Sequence, residues 1–241
     1  MAVKAIVLGA GKGKRMRSDL PKVLHEAAGR PLLHWVLDAV AALGCDEVVV
    51  VVGHQADAVR RSLPAGTTTA LQQRQLGTGD AAAAGLAEIT LATDDVVVIL
   101  PGDMPLVTGE TLRNLVAHHR QTGAAATMLT VILADPDNYG RVLRSEGNVI
   151  GIVEEVDATA EQRKIHEVCT SVYVFDADVL PTALEQLTTE NAQGEYYLTD
   201  AIGILAAQGR TIEAYIGATE EGFGVNDPDQ LAAVESILTT R

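Results

Sequence analysis

Hydrophobic positions along this chain follow two rhythms that alternate. Apolar runs at 3–8, 47–52, 67–72, 95–100 and 124–133 have the length of strands, and several are unbroken. Such continuity is expected of strands buried on both faces of a parallel sheet. Between them, 32–43, 55–63, 78–89 and 108–121 carry helical patterns. Pro31 suits the first position of the first helix, where its missing N–H costs nothing. Thr108, three residues before Thr111 and followed by Glu110, reads as the cap of the fourth. After about residue 134 the texture changes. Short β-like pieces at 141–144, 148–153, 168–175 and 211–216 mix with helices at 177–188, 197–208 and 228–239. The order predicts an α/β fold with a Rossmann-like, doubly wound sheet, mixed but mostly parallel, and ligand sites at the strand carboxyl ends. No Ser/Gly/Pro linker or low-complexity run divides the chain. Residues 1–241 therefore read as a single domain: a core at 1–133 and its continuation at 134–241.

Chemistry concentrates where the first strand ends. Ala5-Ile6-Val7-Leu8 runs directly into Gly9, Gly11 and Gly13, among which and after which come Lys12, Lys14, Arg15, Arg17 and Lys22. Glycines let main-chain N–H groups close on an anion, and the cations supply the charge a polyphosphate needs. A Walker loop requires Gly five residues after Gly9, where Lys14 stands. A dinucleotide fingerprint fails at its third glycine, again Lys14, and at the second strand's end, Gly53-His54, which lacks an acid. What remains is G-x-G-x-R-M followed by P-K. An ordinary strand-to-helix loop with a solvated basic face is the simpler alternative.

Composition narrows the choice. With 241 residues, 47% apolar and only 3% aromatic, the core must be built from Val, Ala, Leu and Ile. No apolar run approaches the ~18 residues of a membrane span, and the N-terminus has no secretory pattern. Two cysteines, Cys45 and Cys169, form neither a disulfide framework nor a metal spacing, which points to a reducing cytoplasm. The net charge of −14 argues against a nucleic-acid partner. Yet residues 1–22 hold six Lys/Arg against one acid, Asp19, as a focused anion site would.

Two further constellations lie at strand ends. The run 96–100 ends in Pro101-Gly102-Asp103-Met104-Pro105-Leu106. A carboxylate there is placed to hold Mg²⁺, which takes one or two carboxylates plus substrate phosphates. An Asp-containing turn would also suit Pro101 and Gly102; beside the basic loop, the metal reading is preferred. Gln72 closes the third strand, and Gln75-Leu76-Gly77-Thr78-Gly79-Asp80 opens a helix. A glutamine amide both donates and accepts, as reading a uracil edge requires. Gly77 and Gly79 would let backbone approach a base, and Thr78 doubles as a helix cap.

Together these segments resemble the uridyltransferase half of the bifunctional N-acetylglucosamine-1-phosphate uridyltransferase/glucosamine-1-phosphate acetyltransferases, within the sugar-phosphate nucleotidyltransferases. The matching pieces are GAGKGKRMRSDLPKVLH (9–25), QLGTGDA (75–81), GDMPL (102–106) and YGRV (139–142), then GIVEEVDAT (151–159), NAQGEYYLTD (191–200) and GVN (224–226). They run in the family's order over nearly the whole chain. The resemblance implies that Leu8, Gly9, Ala10 and Gly11 cradle the nucleotide, with Gly102 beside them and Gln72, Gly77 and Thr78 at the uracil. It implies that Arg15 and Lys22 hold the triphosphate and, with Asp103, carry catalysis, and that Asp103 and Asn226 ligate Mg²⁺. Gly140, Glu154, Cys169, Tyr197 and Thr199 would line the sugar-phosphate side, making 1–133 the nucleotide-binding core and 134–241 the sugar-phosphate-binding continuation. Glu154 also reads as an exposed strand-end acid, Tyr197 and Thr199 as a packed helix start, and Asn226 as a cap for the last helix.

Four positions depart from the family. Lys14 stands where Thr is usual, Asp80 where His is, Cys169 where a sugar-contacting Asn is, and Ser171 where Gly is. A thiol is a weak donor and weak acceptor and cannot replace an amide. Cys169 reads as a small packed residue rather than a nucleophile. No hexapeptide repeat is present, so no left-handed β-helix domain is expected, and the oligomeric state is left open.

The implied reaction is in-line attack of a sugar-1-phosphate on the α-phosphorus of UTP, with release of pyrophosphate. Another hexose-1-phosphate, or TTP, would also fit these residues. A non-catalytic nucleotide-sensing module is the alternative of another class; loss of Arg15, Lys22 or Asp103 would mark it, and all three are present.

Overall fold

The computed structural model describes residues 2–240. Strand β1 (Val3–Leu8) is followed by a hairpin of β2 (Glu26–Ala27) and β3 (Arg30–Pro31), then by α1 (Leu32–Leu43), β4 (Glu47–Val52) and α2 (Ala56–Ser62). Next come β5 (Thr68–Leu71), α3 (Thr78–Leu86), β6 (Val96–Pro101), α4 (Gly109–Thr122) and β7 (Ala126–Ile132). The remainder comprises β8 (Gly140–Ser145), β9 (Asn148–Val153), β10 (Glu167–Asp176), α5 (Leu180–Glu185), α6 (Asp200–Ala207), β11 (Ile212–Ile216) and α7 (Pro228–Leu238).

The central sheet has the order β11-β7-β10-β6-β1-β4-β5. Its ladders are parallel except those of β10, which runs antiparallel to both β6 and β7. The expected mixed, mostly parallel α/β sheet is therefore present, and the described residues include no β-helix. β10 also holds the later segments. Its C-terminal part pairs β6 at Tyr173–Asp176, and its N-terminal part pairs β8 at Val168 and Cys169. Between them the ladder slips at a bulge where Ser171 takes φ 62°. β8 in turn carries β9.

Two apolar layers explain the unbroken runs. Ile6, Val49, Val51, Val97 and Ile99 face Ala81 and Ala82 of α3, Leu180 of α5, and Ile202 and Leu205 of α6. Their neighbours Ala5, Val7, Val50, Val52, Val98 and Leu100 face Leu33 and Val36 of α1, Val59 of α2, and Leu112 and Leu115 of α4. A strand that alternates between two cores has no polar face to show. A third cluster joins Met16, Leu32, Leu106 and Val225 to Val234 and Leu238 of α7, so the basic loop is anchored from below by one methionine.

Boundaries moved where local chemistry decided them. Thr108 does cap α4, accepting from the Thr111 N–H at 3.1 Å. Pro31 sits one position earlier than expected, extended at φ −54° and ψ 139°, as the residue before α1. Asn226 does not cap α7; Asp227 does, accepting from the Gln230 N–H at 2.9 Å. Thr78 does not cap α3 either, because its hydroxyl accepts from the Leu198 N–H at 2.9 Å. The helix expected at 197–208 starts only at Asp200, since Tyr196 and Leu198 are bonded to Leu76 and to the first turn of α3.

Candidate functional site

The carboxyl ends of β1, β4, β5 and β6 meet at one edge of the sheet, and the loops there carry the glycines and charges of the sequence motifs. After β1 the backbone turns through left-handed Gly13 (φ 57°), one turn of 3₁₀ helix at Lys14–Met16, and left-handed Arg17 (φ 52°). A Cβ on Gly13 would fall 2.7 Å from the Lys22 Cβ, so this glycine lets the loop close on Lys22. The N–H groups of Ala10, Gly11, Lys12 and Gly13 make no hydrogen bond among the described residues, and the side chains of Lys12, Lys14 and Arg15 are exposed without an ion pair there. Open N–H groups beside unpaired cations are the features an anion site requires. Gly9 plays a different part. Its N–H is spent on the Val51 carbonyl at 2.8 Å, and a Cβ would sit 3.1 Å from that oxygen. The Leu8 carbonyl likewise accepts from Gly102 at 2.9 Å. Leu8, Gly9 and Gly102 thus build the floor, leaving Ala10 and Gly11 as the open part of the cradle.

Beneath this loop three residues distant in sequence converge. The Lys22 ammonium is ion-paired to the Asp103 carboxylate and donates to Asn226 Oδ1 at 3.0 Å. Asp103 is 8% exposed. Its carbonyl accepts from the Val225 N–H at 2.9 Å, and the Asn226 N–H is held by Gln230, so the two oxygens stand on fixed backbone. Among the described residues no group of three or more His, Cys, Asp or Glu is arranged to hold a metal ion. The donor set is therefore one carboxylate and one amide oxygen. It suits a hard cation that completes its shell with phosphate and water. That these oxygens already close on an ammonium shows that the place favours positive charge.

At the end of β5, Gln72 is 4% exposed, and its amide donates to the Gly77 carbonyl at 3.0 Å and to Asp80 Oδ2 at 2.8 Å. The missing Cβ of Gly77 and of Gly79 first makes room for the protein itself. A Cβ on Gly77 would fall 2.4 Å from the Tyr196 carbonyl oxygen, and one on Gly79 would meet Leu187 at 2.3 Å. They admit the segment 196–198, which is stitched on by Tyr196 N–H to Leu76, Gly79 N–H to Tyr196 and Leu198 N–H to Thr78.

The third group gathers around β8 and β10, where Gly140 and Cys169 are directly opposed. Glu154 follows β9. A Cβ on Gly140 would lie 3.5 Å from its carboxylate, and the Thr199 hydroxyl donates to it at 3.0 Å. Burial pushes the Glu154 carboxyl above its ordinary range; the Thr199 bond offsets part of this, and Asp200 and Asp157 add to it. Tyr197 is buried, its phenol pushed up to about 12 mainly by that burial. Cys169 turns into the core, its thiol donating to the Tyr173 hydroxyl at 3.2 Å and pushed up to about 12 by burial. It packs behind the Glu154 side as a small core residue.

Glu154 also yields a stability prediction. The folded chain holds its proton more tightly than the unfolded one, so this contribution is full at low pH and fades as pH rises through the raised value. In the ligand-free chain, Glu154→Gln should melt higher than the parent at pH 8. The difference should close toward pH 4. Thermal melts across that range check it, and a variant that melts lower throughout contradicts it.

The structure also gives contacts to residues that the motifs contained without an assigned role. Asp80 fixes Gln72. Tyr139 packs on Val131, Leu133 and Val168, its phenol pushed up mainly by burial, an effect partly offset by the backbone at Gly224. Arg141, fully buried, pairs with Glu155 at 2.6 Å and ties β8 to the strand end that carries Glu154. These contacts leave no periodic trace in the sequence.

The site's surroundings have counterparts in known proteins. A model of the MobA-like NTP transferase domain matches residues 5–191. The bifunctional protein GlmU of Thermoanaerobacter pseudethanolicus is 46% identical over 237 residues, 98% of this chain and 51% of that protein. GlmU of Exiguobacterium sibiricum is 47% identical over 240 residues, 98% of this chain and 53% of its own. GlmU of Caldanaerobacter subterraneus is 44% identical over 238 residues. The chain spans about half the length of these relatives.

Proposed function

The chain belongs to the MobA-like NTP transferase family, and from that premise we propose that it transfers UMP from UTP to N-acetylglucosamine-1-phosphate, releasing pyrophosphate. The observation that carries this reading is the convergence of Lys22, Asp103 and Asn226 beneath a loop of open N–H groups and unpaired cations. The likeness to half of the GlmU proteins supports the choice of nucleotide and sugar.

In this reading a phosphate oxygen of the sugar attacks the α-phosphorus in line, and the bond from that phosphorus to the bridging oxygen breaks. No general base is needed, because a phosphate monoester with a second pKa of about 6 is mostly dianionic at pH 7. The obstacle is bringing two polyanions together, so positioning and charge neutralisation carry the rate. Arg15 and Lys22 stabilise charge on the transferring group and the leaving pyrophosphate. Asp103 and Asn226 would hold Mg²⁺, which would neutralise phosphate charge when bound. Glu154, Thr199, Tyr197 and Gly140 receive the sugar, with Cys169 shaping that wall from behind.

The test is pyrophosphate release with Mg²⁺, UTP and a panel of sugar-1-phosphates. Selective turnover of N-acetylglucosamine-1-phosphate is expected. Turnover of a different sugar would reassign the acceptor. UTP binding without pyrophosphate release from any sugar would replace catalysis by nucleotide sensing.

A further inference from the structure

Gln72 is held in one orientation only. Its amide nitrogen donates to the Gly77 carbonyl and to Asp80 Oδ2, at 3.0 and 2.8 Å. A carbonyl and a carboxylate can only accept. Turning the amide over would set its own oxygen against both. The donors therefore point inward, and Oε1 is the end that remains. It accepts no hydrogen bond among the described residues, and it is not one of the sealed polar atoms, such as Tyr197 Oη, that lack a partner. The neighbouring Gln75 amide donates to the Gln72 main-chain carbonyl at 3.3 Å, and a Cβ on Gly53 would lie 2.9 Å from that nitrogen and 2.8 Å from the Ala10 Cβ.

We propose that Asp80 is a positioning residue: its carboxylate, the stronger of the two acceptors on the amide and joined by the Gly77 carbonyl, makes Gln72 an acceptor-only reader, so the pocket selects a pyrimidine that carries a ring N3–H, uracil or thymine, over cytosine. The inference rests on the nucleotide-site reading above. N3–H of uracil can donate to the fixed Oε1. Cytosine brings a bare N3 lone pair to the same place, and two acceptors then face each other unpaired. A site built around one hydrogen bond rejects analogues that lack it far more strongly than a hydrophobic pocket does. A plain glutamine would not discriminate in this way, because a free amide swings over to offer its N–H instead.

The experiment compares UTP and CTP on the full chain, by binding and by kcat/KM, in the parent, Asp80→Ala and Asp80→Asn. The parent should prefer UTP. Asp80→Ala should lose at least about tenfold of the UTP:CTP ratio, as CTP improves relative to UTP, with the melting temperature little changed. Asp80→Asn should keep the ratio within about threefold, since its carbonyl still accepts from the Gln72 amide. A ratio unchanged in Asp80→Ala, or lost equally in Asp80→Asn, overturns the inference alone. A parent chain that binds neither nucleotide overturns the nucleotide-site reading and this inference with it.

Discussion

Asp103→Ala is expected to lower turnover by about 10²–10³-fold, the scale on which one preorganised electrostatic contact acts, while leaving the fold in place. The side chain and main chain of this residue do separate jobs. Its carbonyl, which alanine keeps, accepts from Val225 and holds the 224–226 segment beside β6. Its carboxylate, which alanine loses, is one of two oxygens closing on the Lys22 ammonium. Removing it leaves a half-buried lysine with Asn226 alone and takes away the only charged member of the proposed cation-binding pair. Saturating-substrate kinetics and a melting curve on one preparation separate the two roles. A variant within threefold of parent kcat would mean that the chemistry lies elsewhere.

Gly77→Ala is expected to destabilise the fold strongly. Its backbone at φ 118° and ψ 176° lies in a region essentially reserved for glycine, and holding another residue there costs about 1–3 kcal/mol. The added Cβ would also lie 2.4 Å from the Tyr196 oxygen and 2.7 Å from its nitrogen. Those are backbone atoms, which cannot rotate away as a side chain would. Relief requires lifting Tyr196 off the loop, breaking its bonds to Leu76 and Gly79 at about 1 kcal/mol each. A total of roughly 3–5 kcal/mol corresponds to a drop in melting temperature on the order of 10 °C. Gly11→Ala is the control: nothing lies within 4 Å of its Cβ position, and its melting curve should match the parent's. Equal melting of the two variants would refute the packing role of Gly77.

How much of this was legible in the sequence depended on the range of the interaction. β1, β4, α1 and β9 fall where apolar spacing put them, because burial on a sheet face is written locally. The Thr108 cap was readable for the same reason. Thr78 and Asn226 have equally good capping chemistry, yet their side chains are engaged by Leu198 and Lys22, more than one hundred residues away. At Gly77 and Gly79 a missing Cβ says only that something comes close, and the close packing of residues 187 and 196 had no local signal. The resemblance had set Asp103 and Asn226 on one cation; that both close on the Lys22 ammonium needed the folded chain.

The position of β10 bears on how the protein comes to be folded at all. β6 and β7 are never direct neighbours: the strand between them is made from residues 167–176, synthesised after both. Until it arrives, β6 and β7 each present a long, apolar, unpaired edge, the kind of surface on which chains aggregate. A fragment ending near residue 133 would contain every nucleotide-side loop except Asn226, yet would keep both edges open. The late strand works as a keystone, and a fragment without it would be expected to precipitate rather than bind nucleotide.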